Sequence, residues 1–267
     1  IDAAFVDPSA GQLVGEPQRV ATQTVASADG LASLAERLIR DQTGSLAGIG
    51  IAVAGSVDSE NGIVHHSPNA RWLDGMPLGE ALRGRLGCPV RVHNDADCFA
   101  LGEARHRGIG DAPGLRRETL LGVTLGTGIG GGLVLDGRLH TGTGIGAGEL
   151  GHICIDANGP PCSCPSNGCL EAYCGGWAIP RTAEAFWREH WTAPPDTLEA
   201  STIADQAAAG DELALAFWAR HGERLGIALA SVVNLLRPHW IVFAGSGAAS
   251  WPWFRASLTA PVAARIL

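Results

Sequence analysis

The sequence contains no lysine: all 19 basic residues are arginines, set against 27 acidic residues and a formal charge of −8. That absence excludes chemistry that needs a lysine, including the G-x-x-x-x-G-K-[ST] phosphate loop and Schiff-base formation. No concentrated basic face is visible either, so a nucleic-acid partner is not expected. Long apolar runs are also missing. The longest, Leu225 to Leu236, is broken by Ser231 and Asn234 and falls short of the ~20 residues a membrane span requires. No signal peptide opens the chain. The cysteines are odd in number, four of them within residues 154–169 and the others at Cys88, Cys98 and Cys174, a poor basis for a secreted disulfide framework. These absences together predict a cytoplasmic protein with no membrane partner. The only methionine is Met76 and the first residue is Ile1, so the natural beginning is expected to lie upstream.

What is present is a chain of 267 residues, 46% hydrophobic, long enough for one large domain or two packed smaller ones. Residues 2–6 (DAAFV) and 18–25 (QRVATQTV) read as strands around a turn in residues 7–13 (DPSAGQL). Leu31, Leu34, Leu38 and Ile39 share one face of a helix expected over 28–42. The runs LAGIGIAVAG and CPVRVHN read as strands buried on both faces, with a helix following in ADCFALGEARHRG. Residues 108–118 (GIGDAPGLRRE), rich in glycine, proline and charge, suggest a boundary between domains at 1–115 and 116–267. Beyond it come two strands joined by GTGIG, a DG turn at 136–137, a mainly helical last third whose longest helix spans Asp211 to Leu236, and a closing strand in HWIVFAGSG. The alternation points to an α/β fold with a mixed sheet.

Three places can carry chemistry. Gly126, Gly128 and Gly131 fit G-x-G-x-x-G, but a strand and a hairpin turn follow instead of the helix that a dinucleotide site requires. Two readings remain open for that turn: a hairpin whose glycines supply positive φ, or a loop whose N–H groups, with the Thr127 hydroxyl, receive a phosphate. Asn94 and Asp95 fall where a strand ends and a helix begins, the usual ligand position in open α/β sheets. There Asp95 can serve as a base or simply cap the helix, and Asp97 reads as a residue of the first helical turn. His152, Cys162, Cys164 and Cys169 have the donor types and spacing of a structural zinc site. Cys154 is a spare candidate, read as a buried thiol. Four protein ligands leave no open position for a catalytic water.

GAGELGHI followed by CSCPSNGCLEAY resembles the signature of the ROK family of bacterial sugar kinases and sugar-responsive repressors. HNDADCFALGEA is similar to the family's N-D-A segment, TLGTGIGGG to its second phosphate loop, and IVFAGSG to its adenosine loop. The resemblance implies a two-domain actin/hexokinase-like (ribonuclease H-like) α/β fold with a central cleft, an ATP-dependent hexose kinase using Mg2+ and a structural Zn2+, and a homodimer. It implies Asp95 as general base and Asn94, Glu149, His152 and Glu171 as sugar contacts, with Gly55 and Asn69 matching less closely. It further implies Gly126, Thr127, Gly128, Gly245 and Gly247 as nucleotide contacts. Glucose is the first expectation for the hexose. N-acetylglucosamine, N-acetylmannosamine, mannose or fructose are alternatives, and so is a sugar-sensing repressor whose DNA-binding domain is outside this sequence. An NAD enzyme is the weakest alternative.

Two departures stand out: Pro165 replaces the glycine of C-x-C-G, which fixes φ near −65° there, and YCGG follows the glutamate in place of Tyr-x-Ser-Gly. The family's first phosphate loop, D-x-G-G-T, is absent, and the helices after the adenosine loop are cut short at Leu267. A molecule that truly began at Ile1 is expected to have little or no kinase activity, whereas a longer natural chain is expected to be competent. An intact mass of 27.6 kDa or several kDa more distinguishes the two.

Overall fold

A short apolar run, Ala3 to Val6 between two aspartates, builds strand β1 (Asp2–Asp7), which pairs antiparallel with β2 (Gln12–Arg19) in the computed structural model of the protein. The structure describes residues 1–7, 11–40, 46–143, 146–191, 193–195 and 197–267. The expected turn at 7–13 therefore falls partly outside the described residues, as do the last two positions of the helix expected over 28–42. The second strand lies earlier than expected, and residues 22–25 form a 3-10 turn instead. Helix α1 (Ala28–Arg40) buries Ala32 and Leu34.

Strand β3 (Ile49–Val53) is followed by the antiparallel pair β4 (Ser56–Asp58) and β5 (Ile63–His66), helix α2 (Leu78–Leu86), and strand β6 (Val90–Asn94), which pairs parallel with β3. The expectation that β3 is buried on both faces fails: its residues alternate in exposure, and of the five only Val53 is fully buried. Val57, Val64, Leu78, Leu82 and Val92 join Val53 in a small aliphatic core. Arg85 ties α2 to α1, its guanidinium reaching Glu36 at 2.9 Å, Asp29 at 3.0 Å and Ser33 at 2.9 Å.

Helix α3 (Asp95–His106) begins at the residue after β6. Then follow β7 (Leu120–Leu125), β8 (Ile129–Leu135), β9 (Arg138–Leu139), α4 (Leu170–Cys174), α5 (Ile179–Glu189), α6 (Ala200–Ala208), α7 (Glu212–Leu236), β10 (Trp240–Ala244) and α8 (Trp251–Arg265). The strand order β10-β7-β8-β9 joins one parallel pair to two antiparallel ones, a mixed sheet. Asp211 caps α7 by accepting the Ala214 N–H at 2.8 Å, and Arg237 ends it at φ 46° just before Pro238. The apolar stretch Leu225–Leu236 is thus the second half of a core helix. It lies against α8 so closely that a Cβ at Gly226 would overlap the Leu258 carbonyl oxygen.

The chain divides into two compact units, Ile1–Asp95 with Thr143–Gly146, and Ala96–Gly142 with Ala147–Leu267. Residues 108–118 lie inside the second unit, where Ile109 is fully buried and Gly110 and Arg116 are joined by a backbone hydrogen bond at 3.0 Å. Arg107 and Arg116 flank the Trp240 ring at 5.7 and 6.0 Å from its centroid, fastening this segment to β10. No helix among the described residues is long and apolar enough to cross a membrane.

Candidate functional site

In the first unit, β6 delivers Asn94 and Asp95 to its carboxyl end. Asn94 Nδ2 donates to the Gly55 carbonyl at 2.9 Å, so two of the expected sugar contacts are joined directly. Gly55 has φ +125°, and a Cβ there would overlap the His66 carbonyl oxygen. The turn carrying Asn69 is fixed to the same stretch by buried Ser67, whose hydroxyl donates to the Ala54 carbonyl at 2.8 Å and whose N–H donates to Asp74 at 2.8 Å. That N–H is the main reason Asp74 is held below the usual carboxylate range, with His66 and Arg71 adding to it. No sequence pattern marks Ser67 or Asp74. Asp95 is exposed at the first position of α3, and Asp97 is buried in the first turn.

In the second unit, β7 and β8 form a hairpin closed by Gly126, Thr127 and Gly128. None of Gly126, Gly128 and Gly131 has positive φ, so that explanation of the glycines is not the one at work. Space is. A Cβ at Gly128 would overlap Glu171 Oε2, and one at Gly131 would overlap the Gly148 carbonyl oxygen. Glu171 is buried and accepts the Ile129 N–H at 2.8 Å, the Ser163 hydroxyl at 3.1 Å and Trp177 Nε1–H at 3.1 Å. Among the described residues, the N–H groups of Thr127 and Gly128 have no acceptor, the state in which a turn can receive an anion.

His152, Cys162, Cys164 and Cys169 converge, all four ligand atoms lying within 4.8 Å of one another. Cys164 Sγ is 3.7 Å from Cys169 Sγ, and Cys162 Sγ is 3.6 Å from His152 Nδ1. A tetrahedron with metal–sulfur bonds of about 2.3 Å and metal–nitrogen bonds of about 2.0–2.1 Å has edges of about 3.8 and 3.6 Å, so the donor set fits a metal ion of zinc's preferences. Burial pushes the Cys169 thiol up to about 12, with Cys164 and Cys162 adding to it, whereas the Ser166 N–H lowers Cys164. A cation is what makes thiolates of such a group. His152 stands on a 3-10 turn, Leu150–His152, and not on a strand. Cys154 is exposed and outside the set, contrary to its reading as a buried thiol; its neighbour in pairing is the backbone of Cys169.

With Nδ1 turned to the thiols, His152 Nε2 faces Glu149 Oε2 at 4.0 Å. Partial burial raises the Glu149 carboxyl, His152 opposes this, and Glu171 adds to it. A cavity of about 570 Å³ reaches the glycine turn at Gly126. It is lined by Gly126, Trp218, His221, Ser246, Gly247 and Trp253, with Ser201 and Asp205 from α6. Gly126 and Gly247, expected to touch one nucleotide, share this cavity, while Gly245 (φ +93°) packs on the Leu125 carbonyl. Trp218 and His221 were missed from sequence because a long amphipathic helix gives no sign of which residues meet a cavity.

Residues 2–263 match the ROK family. The chain belongs to the ROK family. A ROK relative, the glucokinase of Thermotoga maritima, is 37% identical over 205 residues, covering 74% of this chain. The chain spans 63% of that protein's length. Among solved ROK structures, a transcriptional regulator described as a homologue of the E. coli MLC protein is 27% identical with a TM-score of 0.83, covering 100% of this chain and 67% of that one. A ROK glucokinase from Streptomyces griseus in complex with glucose and AMPPNP is 28% identical with a TM-score of 0.75, covering 98% and 86%. The α/β fold is the actin/hexokinase-like one of the ROK sugar kinases.

Proposed function

We propose that the natural protein transfers the γ-phosphoryl group of ATP to a hexose hydroxyl, with glucose, at its 6-position, the first candidate. The observation that carries this reading is the second unit's combination of an N/S cluster and a glycine turn with two N–H groups that have no acceptor among the described residues. Asp95 takes the hydroxyl proton as the sugar oxygen bonds to the γ-phosphorus and the bond to the departing ADP breaks. Thr127 and Gly128 N–H groups bind the phosphates, Gly126, Gly245 and Gly247 shape the nucleoside side, and Mg2+ arriving with ATP supplies charge neutralisation. Asn94, Glu149, His152 and Glu171 orient the sugar, with Gly55, bonded to Asn94, and Asn69 as further contacts. His152, Cys162, Cys164 and Cys169 would hold a structural Zn2+, and with Nδ1 on the sulfur side the His152 Nε2–H would donate to a hydroxyl. A cytoplasmic homodimer belongs to the same reading.

ADP release measured over a panel of hexoses tests it, using glucose, mannose, fructose, N-acetylglucosamine and N-acetylmannosamine with the full natural chain. Turnover with one sugar, reduced about 10²–10⁴-fold in Asp95→Asn while calorimetric sugar binding persists, is expected. The TM-score of 0.83 with a ROK regulator favours a second reading, a sugar-sensing repressor. Sugar binding without any ADP release would decide for that one.

A further inference from the structure

Glu171 touches more than one part of the second unit. Its Oε1 accepts from Ser163, the residue between Cys162 and Cys164, and from Trp177 Nε1; its Oε2 accepts the buried N–H of Ile129. The backbone just after α4 makes two further bonds to the glycine turn, Gly176 N–H to the Gly126 carbonyl and Trp177 N–H to the Thr127 carbonyl, both at 3.0 Å. The turn is thus held from one side by residues 171–177, apart from its internal bond from Gly126 N–H to the Gly128 carbonyl at 3.0 Å. A carboxylate has about four lone-pair sites, and three of those on Glu171 are filled by the protein itself. A residue that served only to meet a sugar would not need these partners.

We propose that Ser163 and Glu171 form a strut through which the cysteine loop holds the glycine turn in its anion-accepting shape, so that this loop governs nucleotide affinity even when no sugar is bound. The proposal rests on the reading above that the turn receives the nucleotide phosphates. Its physical basis is preorganisation. Thr127 and Gly128 N–H groups can meet an anion without first ordering the turn only if the carbonyls and the Ile129 N–H beside them are already engaged. Glu171 and Ser163 are positioning residues in this account, acting on phosphate through the backbone of residues 126–129.

The test uses the full natural chain with AMPPNP and Mg2+ in the absence of sugar, comparing wild type, Ser163→Ala, Ser163→Thr and Glu171→Gln. Calorimetry reads nucleotide affinity, elemental analysis reads zinc, and hydrogen exchange reads the Ile129 amide. Ser163→Ala should weaken AMPPNP about fivefold, the worth of one net hydrogen bond, and speed exchange at Ile129 with zinc retained. Ser163→Thr, which keeps the hydroxyl, should stay within about twofold of wild type, and Glu171→Gln should lose about tenfold or more, because its amide cannot accept at both ends. Unchanged nucleotide affinity and unchanged Ile129 exchange in Ser163→Ala and Glu171→Gln would overturn the strut. Absence of AMPPNP binding by the wild type would overturn the phosphate reading and, with it, the claim on affinity. Ile129 exchange needs no ligand and still decides whether the strut exists.

Discussion

His152 turns Nδ1 toward Cys162 Sγ, 3.6 Å away, and so commits that nitrogen to the sulfur side of its turn. The other ring nitrogen is thereby left on the side of Glu149. One imidazole can then serve a metal and a hydroxyl at once, without a change of tautomer.

Zinc content follows from that arrangement. Purified protein should contain one zinc per chain by elemental analysis, and Cys169→Ser, at a fully buried ligand, should lose it. The melting temperature should fall with the metal, by about 2–4 °C for each kcal/mol lost in a chain of this size. Full zinc in Cys169→Ser would contradict the assigned set.

Packing of α7 on α8 should be sensitive to one methyl group. Gly226→Ala puts a Cβ onto the Leu258 carbonyl oxygen, and overpacking of this kind costs about 1–3 kcal/mol. Gly84→Ala, where nothing lies within 4 Å, serves as the control and should be neutral or slightly stabilising in urea unfolding.

Acid should destabilise the second unit through His221. Burial, with Arg224 adding to it, lowers this imidazole to about 3, and its Nδ1 has no hydrogen-bond partner among the described residues. The unfolded chain binds the proton near the ordinary value of about 6.5, so the fold holds fewer protons than the unfolded chain between these limits. The stability from neutral His221 is complete above about 6.5 and is lost progressively as pH falls toward 3. Urea unfolding at pH 7, 5.5 and 4.5 should show this slope in wild type, and His221→Leu should flatten it. An equal slope in both proteins would assign the acid sensitivity elsewhere.

The sequence made the elements with strong local signals legible: the long helix with its Asp211 cap, the β7–β8 hairpin, the junction at Asn94–Asp95 and the four-ligand cluster. Each is written in a short span of residues. Those it hid depend on distant partners. The role of space at Gly128 exists only because Glu171 arrives from 43 positions later. Ser67 and Asp74 brace the Asn69 turn through backbone groups that no pattern announces. Residues 108–118 have the composition of a linker, yet Trp240 and the two arginines beside it stitch them down.

Because β6 ends at Asn94 and α3 starts at Asp95, the backbone of this acid is set by regular structure rather than by a loop. Under the proposed function, a change in sugar preference is then expected from exchange of side chains such as Asn69, which is exposed on its braced turn.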